Sequence, residues 1–132
     1  MKVLVTGANG YIGRHVVSAL LNVGCNVVAC DLRLQDVDAR AEQMEMNLFE
    51  SDSHLYDKVG SPDVCLHMAW RDGFQHNSFN HMGDLSSHYR FLTRLVDSGL
   101  KRLAVMGTMH EVGKIPRENH QQQKSCYGDH QL

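Results

Sequence analysis

Residues Thr6 to Gly13 read TGANGYIG, with glycines at 7, 10 and 13 directly after an apolar run. That spacing suits one task, bringing backbone close to phosphate. Gly7 permits the tight turn out of a strand, Gly10 leaves room for main chain to approach a pyrophosphate, and Gly13 lets the next helix pack close to the sheet. The N-terminus of that helix then offers unpaired N–H groups and a positive dipole end. Asp31 ends the next β-branched segment, NVVACD, where a carboxylate can accept hydrogen bonds from an adenosine ribose. A 2′-phosphate at the same place would be repelled by about 4 kcal/mol, for unit charges ~4 Å apart at an effective dielectric of ~20. The pattern therefore favours NAD over NADP, with Arg14 and Arg33 near enough to soften the repulsion.

Other reactive side chains point less clearly to chemistry. Nine histidines raise the question of a metal. His110-Glu111 begins an H-E-x-x-H pattern, but Lys114 stands where the second histidine belongs. His76 and His81 fall in a polar loop without clustered cysteine or aspartate partners, so no metal site is expected. Four cysteines, Cys25, Cys30, Cys65 and Cys126, form no C-x-x-C pair. Three of them sit in or beside apolar segments as buried thiols, which fits a reducing, cytoplasmic setting. The net charge is −2 and no Lys/Arg block occurs, so a nucleic-acid partner is not expected. The start reads as neither a signal peptide nor an anchor, and no run approaches the ~18 apolar residues of a membrane span.

These groups need a scaffold, and the hydropathy pattern supplies one. Val3–Val5, Asn26–Asp31, a stretch ending near Asn47, Asp63–Ala69 and Arg102–Met106 read as strands. Met44 and Met46 alternate with polar residues, which marks the third strand as a half-exposed edge. Helical spacing appears at Ile12, Val16, Val17, Leu20 and Leu21 before Gly24. It recurs briefly at Leu55, Tyr56 and Val59, and then at Leu85, Tyr89, Leu92, Leu95 and Val96 before Gly99. Strands alternating with helices imply right-handed βαβ units. The expected fold class is α/β, a doubly wound parallel sheet of about five strands in Rossmann-type order 3-2-1-4-5. The short connection after Asp31 has room for a turn or two of helix at most. Residues 1–113 form the expected dinucleotide-binding domain, and 114–132 a polar, Gln-rich, irregular tail.

TGANGYIG, ACD, LHMAW and GLKRLAVMGTMHEVG together resemble the N-terminal half of the extended short-chain dehydrogenase/reductases, the NAD-dependent epimerase/dehydratase family. The resemblance runs from Met1 to about Gly113 and implies roles for individual residues. Tyr11 and Ile12 would give backbone N–H groups to the pyrophosphate. Asp31 and Leu32 would meet the adenosine, and Asn47 and Leu48 the adenine. His67-Met68-Ala69-Trp70 matches the family's H-x-A-[AG], with Met68, Ala69 and Trp70 passing beneath the middle of the cofactor. Trp70 replaces the small residue usual there. NAD is the implied cofactor, and many family members act on nucleotide sugars.

The resemblance also implies where chemistry belongs. Thr108 stands where the family places the Ser/Thr that hydrogen-bonds the reacting oxygen. Tyr127, in CYGDHQL, matches the tyrosine of Y-G-x-x-K, the general base. Gln131 replaces the lysine that would favour its phenolate. Met109 and His110 replace the acidic pair of the family's dehydratases. The family's C-terminal half has no counterpart here, so the chain reads as a truncated form, and a homodimer covering the gap is one expected consequence. The alternative is a non-catalytic NAD-binding module that senses or scaffolds.

Overall fold

The computed structural model describes residues 1–107 apart from Phe74 and His76. Thr108, Tyr127 and the segment 114–132 lie outside the described residues. Five strands, β1 (Lys2–Thr6), β2 (Asn26–Asp31), β3 (Glu42–Glu45), β4 (Val64–His67) and β5 (Arg102–Val105), form one sheet in the order β3-β2-β1-β4-β5. Every neighbouring pair is parallel. Helices α1 (Tyr11–Asn22), α2 (Leu55–Lys58) and α3 (Phe79–Asp97), with a 3₁₀ turn at Leu48–Glu50, complete the described elements. The expected fold class and strand order are both observed.

The register levels the strand ends that matter. Thr6, the last residue of β1, pairs with Cys30 on one side and His67 on the other. The carboxyl ends of β1, β2 and β4 therefore open onto one crevice, where the direction of chain crossing reverses. Alternation along the strands feeds two cores. Leu4, Val28, Cys30 and Cys65 pack with Phe91 and Leu95 of α3 and with Leu55 and Val59. Val3, Val5, Val27 and Ala29 pack with Val17 of α1.

The short connection after β2 contains no helix, within the turn or two at most expected of it, and covers its face of the sheet with Leu34, Val37 and Ala41. Three local expectations are corrected. Strand β3 ends at Glu45, short of Asn47, because the Asn47 side chain turns to cap the 3₁₀ turn, accepting from Phe49 N–H at 3.0 Å. Helix α3 begins at Phe79, so His81 lies in its first turns rather than in a loop. Ser78 caps that start by accepting from Asn80 N–H, and Asp72 accepts from the Ser78 hydroxyl and the Asn80 side-chain amide at 2.7 Å each. Finally, the inward face of α3 carries Asp84, His88, Phe91 and Leu95, while Leu85, Tyr89 and Val96 point outward. Polar partners inside, described below, make that orientation possible.

Candidate functional site

The crevice at the strand ends has a volume of about 390 Å³. Gly7 and Gly10 form one wall, Asp31 and Leu32 continue it from β2, and Asn47 and Leu48 close it beyond β3. Met68, Ala69 and Trp70 line it from the end of β4. Nine sequence-assigned residues from four separate segments thus meet in one place. Tyr11 and Ile12 do not line the crevice with side chains. They are 73% and 52% exposed on the first turn of α1, where only their backbone N–H groups could serve a ligand. That turn is left open for an anion: Gly10 provides no side-chain cap, and no acidic residue occupies the first turn.

The three glycines differ in why they are glycine. Gly7 adopts φ +67°, and a Cβ there would lie 2.7 Å from the backbone of Met68 and Ala69. A Cβ on Gly13 would collide with the Gly7 carbonyl oxygen. Its close partner is the turn itself, rather than the sheet surface expected from sequence. A Cβ on Gly10 would meet only Gly7 O, at 3.3 Å, an adjustment of a few tenths of an ångström. The fold thus demands glycine firmly at 7 and 13 and only weakly at 10, which with Gly7 lines the crevice. A cradle that a Cβ would fill is what a close-lying pyrophosphate requires, so the residues present fit a dinucleotide.

Asp31 is held ready. Its Oδ2 accepts from Asn9 N–H at 2.9 Å and its Oδ1 from Leu32 N–H at 2.7 Å, leaving lone pairs for ribose hydroxyls. Arg14 pairs with Asp36, 3.9 Å away.

Sequence reasoning missed the polar floor of the crevice. Thr6 Oγ1 lies 2.8 Å from His67 Nδ1, and His67 Nε2 lies 2.9 Å from His88 Nδ1. Burial, and secondarily the neighbouring His88, pushes the His67 imidazole down to about 4. Burial also lowers His88, against an opposing pull from Asp84. Asp84 in turn binds Arg71 through two hydrogen bonds, at 2.6 and 2.9 Å. Trp70, 54% exposed, stacks on His88 with ring centres 5.5 Å apart and packs on His81 at 4.9 Å. Only the helical position of His88, three residues before Phe91, could have hinted at an inward histidine.

A family model, "NAD dependent epimerase/dehydratase family", matches residues 3–130. The chain belongs to this family. A curated relative, a dTDP-6-deoxy-L-talose 4-dehydrogenase (NAD(+)) from Aggregatibacter actinomycetemcomitans, is 39% identical over 117 residues, covering 86% of this chain and 43% of its own. The structure of MoeE5 in complex with UDP-glucuronic acid and NAD is 27% identical with a TM-score of 0.72, covering 88% of this chain and 40% of that one. A UDP-glucose-4-epimerase from Stenotrophomonas maltophila, with bound NAD and formylated UDP-arabinopyranose, shares the fold at 22% identity and a TM-score of 0.73, with 89% and 40% covered. The chain therefore spans about two-fifths of the length of these family members. No helix among the described residues is long and apolar enough to cross a membrane.

Proposed function

We propose that this chain is the NAD-binding part of an epimerase/dehydratase-family oxidoreductase whose substrate is a nucleotide-linked sugar. The observation that carries the reading is the single crevice joining Gly7 and Gly10 to Asp31, Asn47, Met68 and Ala69. The diphosphate would rest on the backbone of Gly10, Tyr11 and Ile12, the adenosine ribose on Asp31, and the adenine between Leu32 and the Asn47-Leu48 pair. The likeness to a dTDP-sugar dehydrogenase and to a complex with UDP-glucuronic acid supports the substrate class. NAD, when bound, would supply a hydride acceptor. In this reading Thr108 holds the reacting oxygen and Tyr127 takes its proton, while Gln131 supplies no cation to favour that tyrosine's phenolate. For that reason we also propose that the 132 residues by themselves bind the cofactor without turnover. Residues 1–113 would be the binding domain and 114–132 a polar tail. The free, buried thiols of Cys30 and Cys65 suit the cytoplasm. A second copy of the chain would cover exposed apolar side chains on α3 and β5, such as Phe79, Met82 and Val105.

Calorimetric titration with NAD and NADP tests the reading. The chain should bind NAD more tightly than NADP, and Asp31→Ala should weaken NAD and relieve the repulsion of NADP. No heat of NAD binding, or an NAD/NADP preference unchanged by Asp31→Ala, would refute it.

A further inference from the structure

The hydrogen bonds beneath the crevice have a direction. Thr6 Oγ1 lies 3.1 Å from the N–H of Met68 and 3.3 Å from that of Ala69. A hydroxyl oxygen has two acceptor sites and one proton. With both sites taken, the proton goes to His67 Nδ1. A neutral imidazole that accepts at Nδ1 carries its hydrogen at Nε2. His67 Nε2–H therefore donates to His88 Nδ1, and His88 by the same rule carries its hydrogen at Nε2. Charging His88 would set two N–H groups against each other across 2.9 Å, so the chain favours the neutral pair.

Among the described residues no group accepts from His88 Nε2–H, and no buried side-chain nitrogen or oxygen lacks a partner. That nitrogen has no partner among the described residues, and the surface His88 lines is the crevice. Its ring is held between Trp70, stacked at 29°, and Phe49, edge-on at 85°. The remaining charged neighbours, Asp84 and Arg71, are paired with each other. A donor with a fixed tautomer and a fixed ring plane thus faces the cavity without a protein partner among the described residues.

We propose that His88 is a ligand-binding residue that donates its Nε2–H to a phosphate or ribose oxygen of the bound dinucleotide. Thr6 and His67 are positioning residues that set its tautomer. The inference rests on the dinucleotide reading above.

Two near-isosteric variants separate binding from scaffolding. His88→Asn places an acceptor where Nδ1 stood, so it keeps the bond from His67 and loses the crevice donor. His88→Gln places an amide N–H near Nε2, so it keeps the donor and loses the acceptor. The expected result on calorimetric titration with NAD is roughly tenfold weaker binding for His88→Asn and near wild-type binding for His88→Gln. The reverse order, or wild-type affinity in both, would show a structural role and overturn the proposal. A parallel titration with ADP places the acceptor: a loss shared by ADP puts it on the adenosine diphosphate half, and a loss seen only with NAD puts it on the nicotinamide ribose. Nitrogen-15 NMR of the wild-type chain is independent of whether the variants fold. His67 and His88 should both show the Nε2–H tautomer, lost in Thr6→Val and kept in Thr6→Ser, and the His88 Nε2 signal should move on NAD addition. An Nδ1–H tautomer at His88, or a signal unmoved by bound NAD, overturns this inference alone. A wild-type chain that binds no NAD overturns the dinucleotide reading with it.

Discussion

Replacing Gly10 and Gly13 by alanine, one at a time, should separate what the fold requires from what the ligand requires. Gly10 is the N-cap of α1 at φ −69° and ψ 168°, a conformation open to any residue. The only atom near its added Cβ is Gly7 O, at 3.3 Å. Loss of a tolerable cap residue and slight crowding should cost about 0.5–1 kcal/mol, a fall in Tm of about 2–4 °C for a domain of this size. At Gly13 the new Cβ runs into the Gly7 carbonyl and lies 3.0 Å from Ala8 Cα. Those are backbone atoms, tied by Gly10 N–H to Gly7 O at 3.1 Å and by Ala8 N–H to Cys30 O at 3.3 Å. They cannot swing aside, so Gly13→Ala should cost about 3 kcal/mol and lower Tm by about 10 °C. Affinity should follow a different order. A methyl at Gly10 holds a pyrophosphate off the first turn of α1, and losing one or two charge-assisted hydrogen bonds weakens binding by roughly 10- to 1,000-fold. Thermal melts with calorimetric NAD titration of the three chains read both quantities. Gly10→Ala should melt almost as wild type and bind poorly, whereas Gly13→Ala should be damaged in both. Wild-type NAD affinity in Gly10→Ala would refute the placement of the pyrophosphate, and a melt as poor as that of Gly13→Ala would refute the division of roles.

Acid should act first through His67. Its folded-state value is lowered from 6.5 to about 4, so the unfolded chain takes up the proton first as pH falls. Stability should be full above pH ~6.5 and decline by about 3 kcal/mol by pH ~4, from about 1.4 kcal/mol per pKa unit. Urea unfolding at intervals between pH 7 and pH 4.5 measures this. The hydrogen-bonded carboxylates of Asp38, Asp52, Asp63 and Asp72 are all held below their ordinary value and act lower in the range, so a flat profile in this window would count against the buried histidine. Burial pushes the thiols of Cys30 and Cys65 up to about 12, with smaller contributions from Asp31 and Cys30 respectively. Peptide mapping after alkylation at pH 8 should find Cys25 modified well before either, and early labelling of Cys30 in the folded chain would contradict the packing of β2.

The glycine loop, Asp31 and the strand order were legible because each is a local pattern or follows from short right-handed crossovers. Asn47 and Leu48 were reached through family resemblance, and the structure puts both on the crevice wall. Helix α3 was read correctly at Leu92 and Leu95, which join the core, and misread at its other apolar positions for a physical reason. Sequence periodicity assumes that apolar residues face inward, and here Leu85, Tyr89 and Val96 are exposed while Asp84 and His88 are buried. Burying two polar side chains is unfavourable unless each is hydrogen-bonded. Both are: Asp84 to Arg71, which follows β4, and His88 to His67 at the end of β4. Those partners lie 13 and 21 residues away in the chain, and only the pairing of Thr6 with His67 in the sheet fixes their position. No window short enough to show helical periodicity contains that information. The inversion is therefore informative. A helix that turns Asp84 and His88 inward beside Phe91 and Leu95, and leaves Leu85, Tyr89 and Val96 outside, has an orientation set partly by the polar network it completes. Departures from hydropathic order of this kind concentrate where a structure serves binding rather than stability alone.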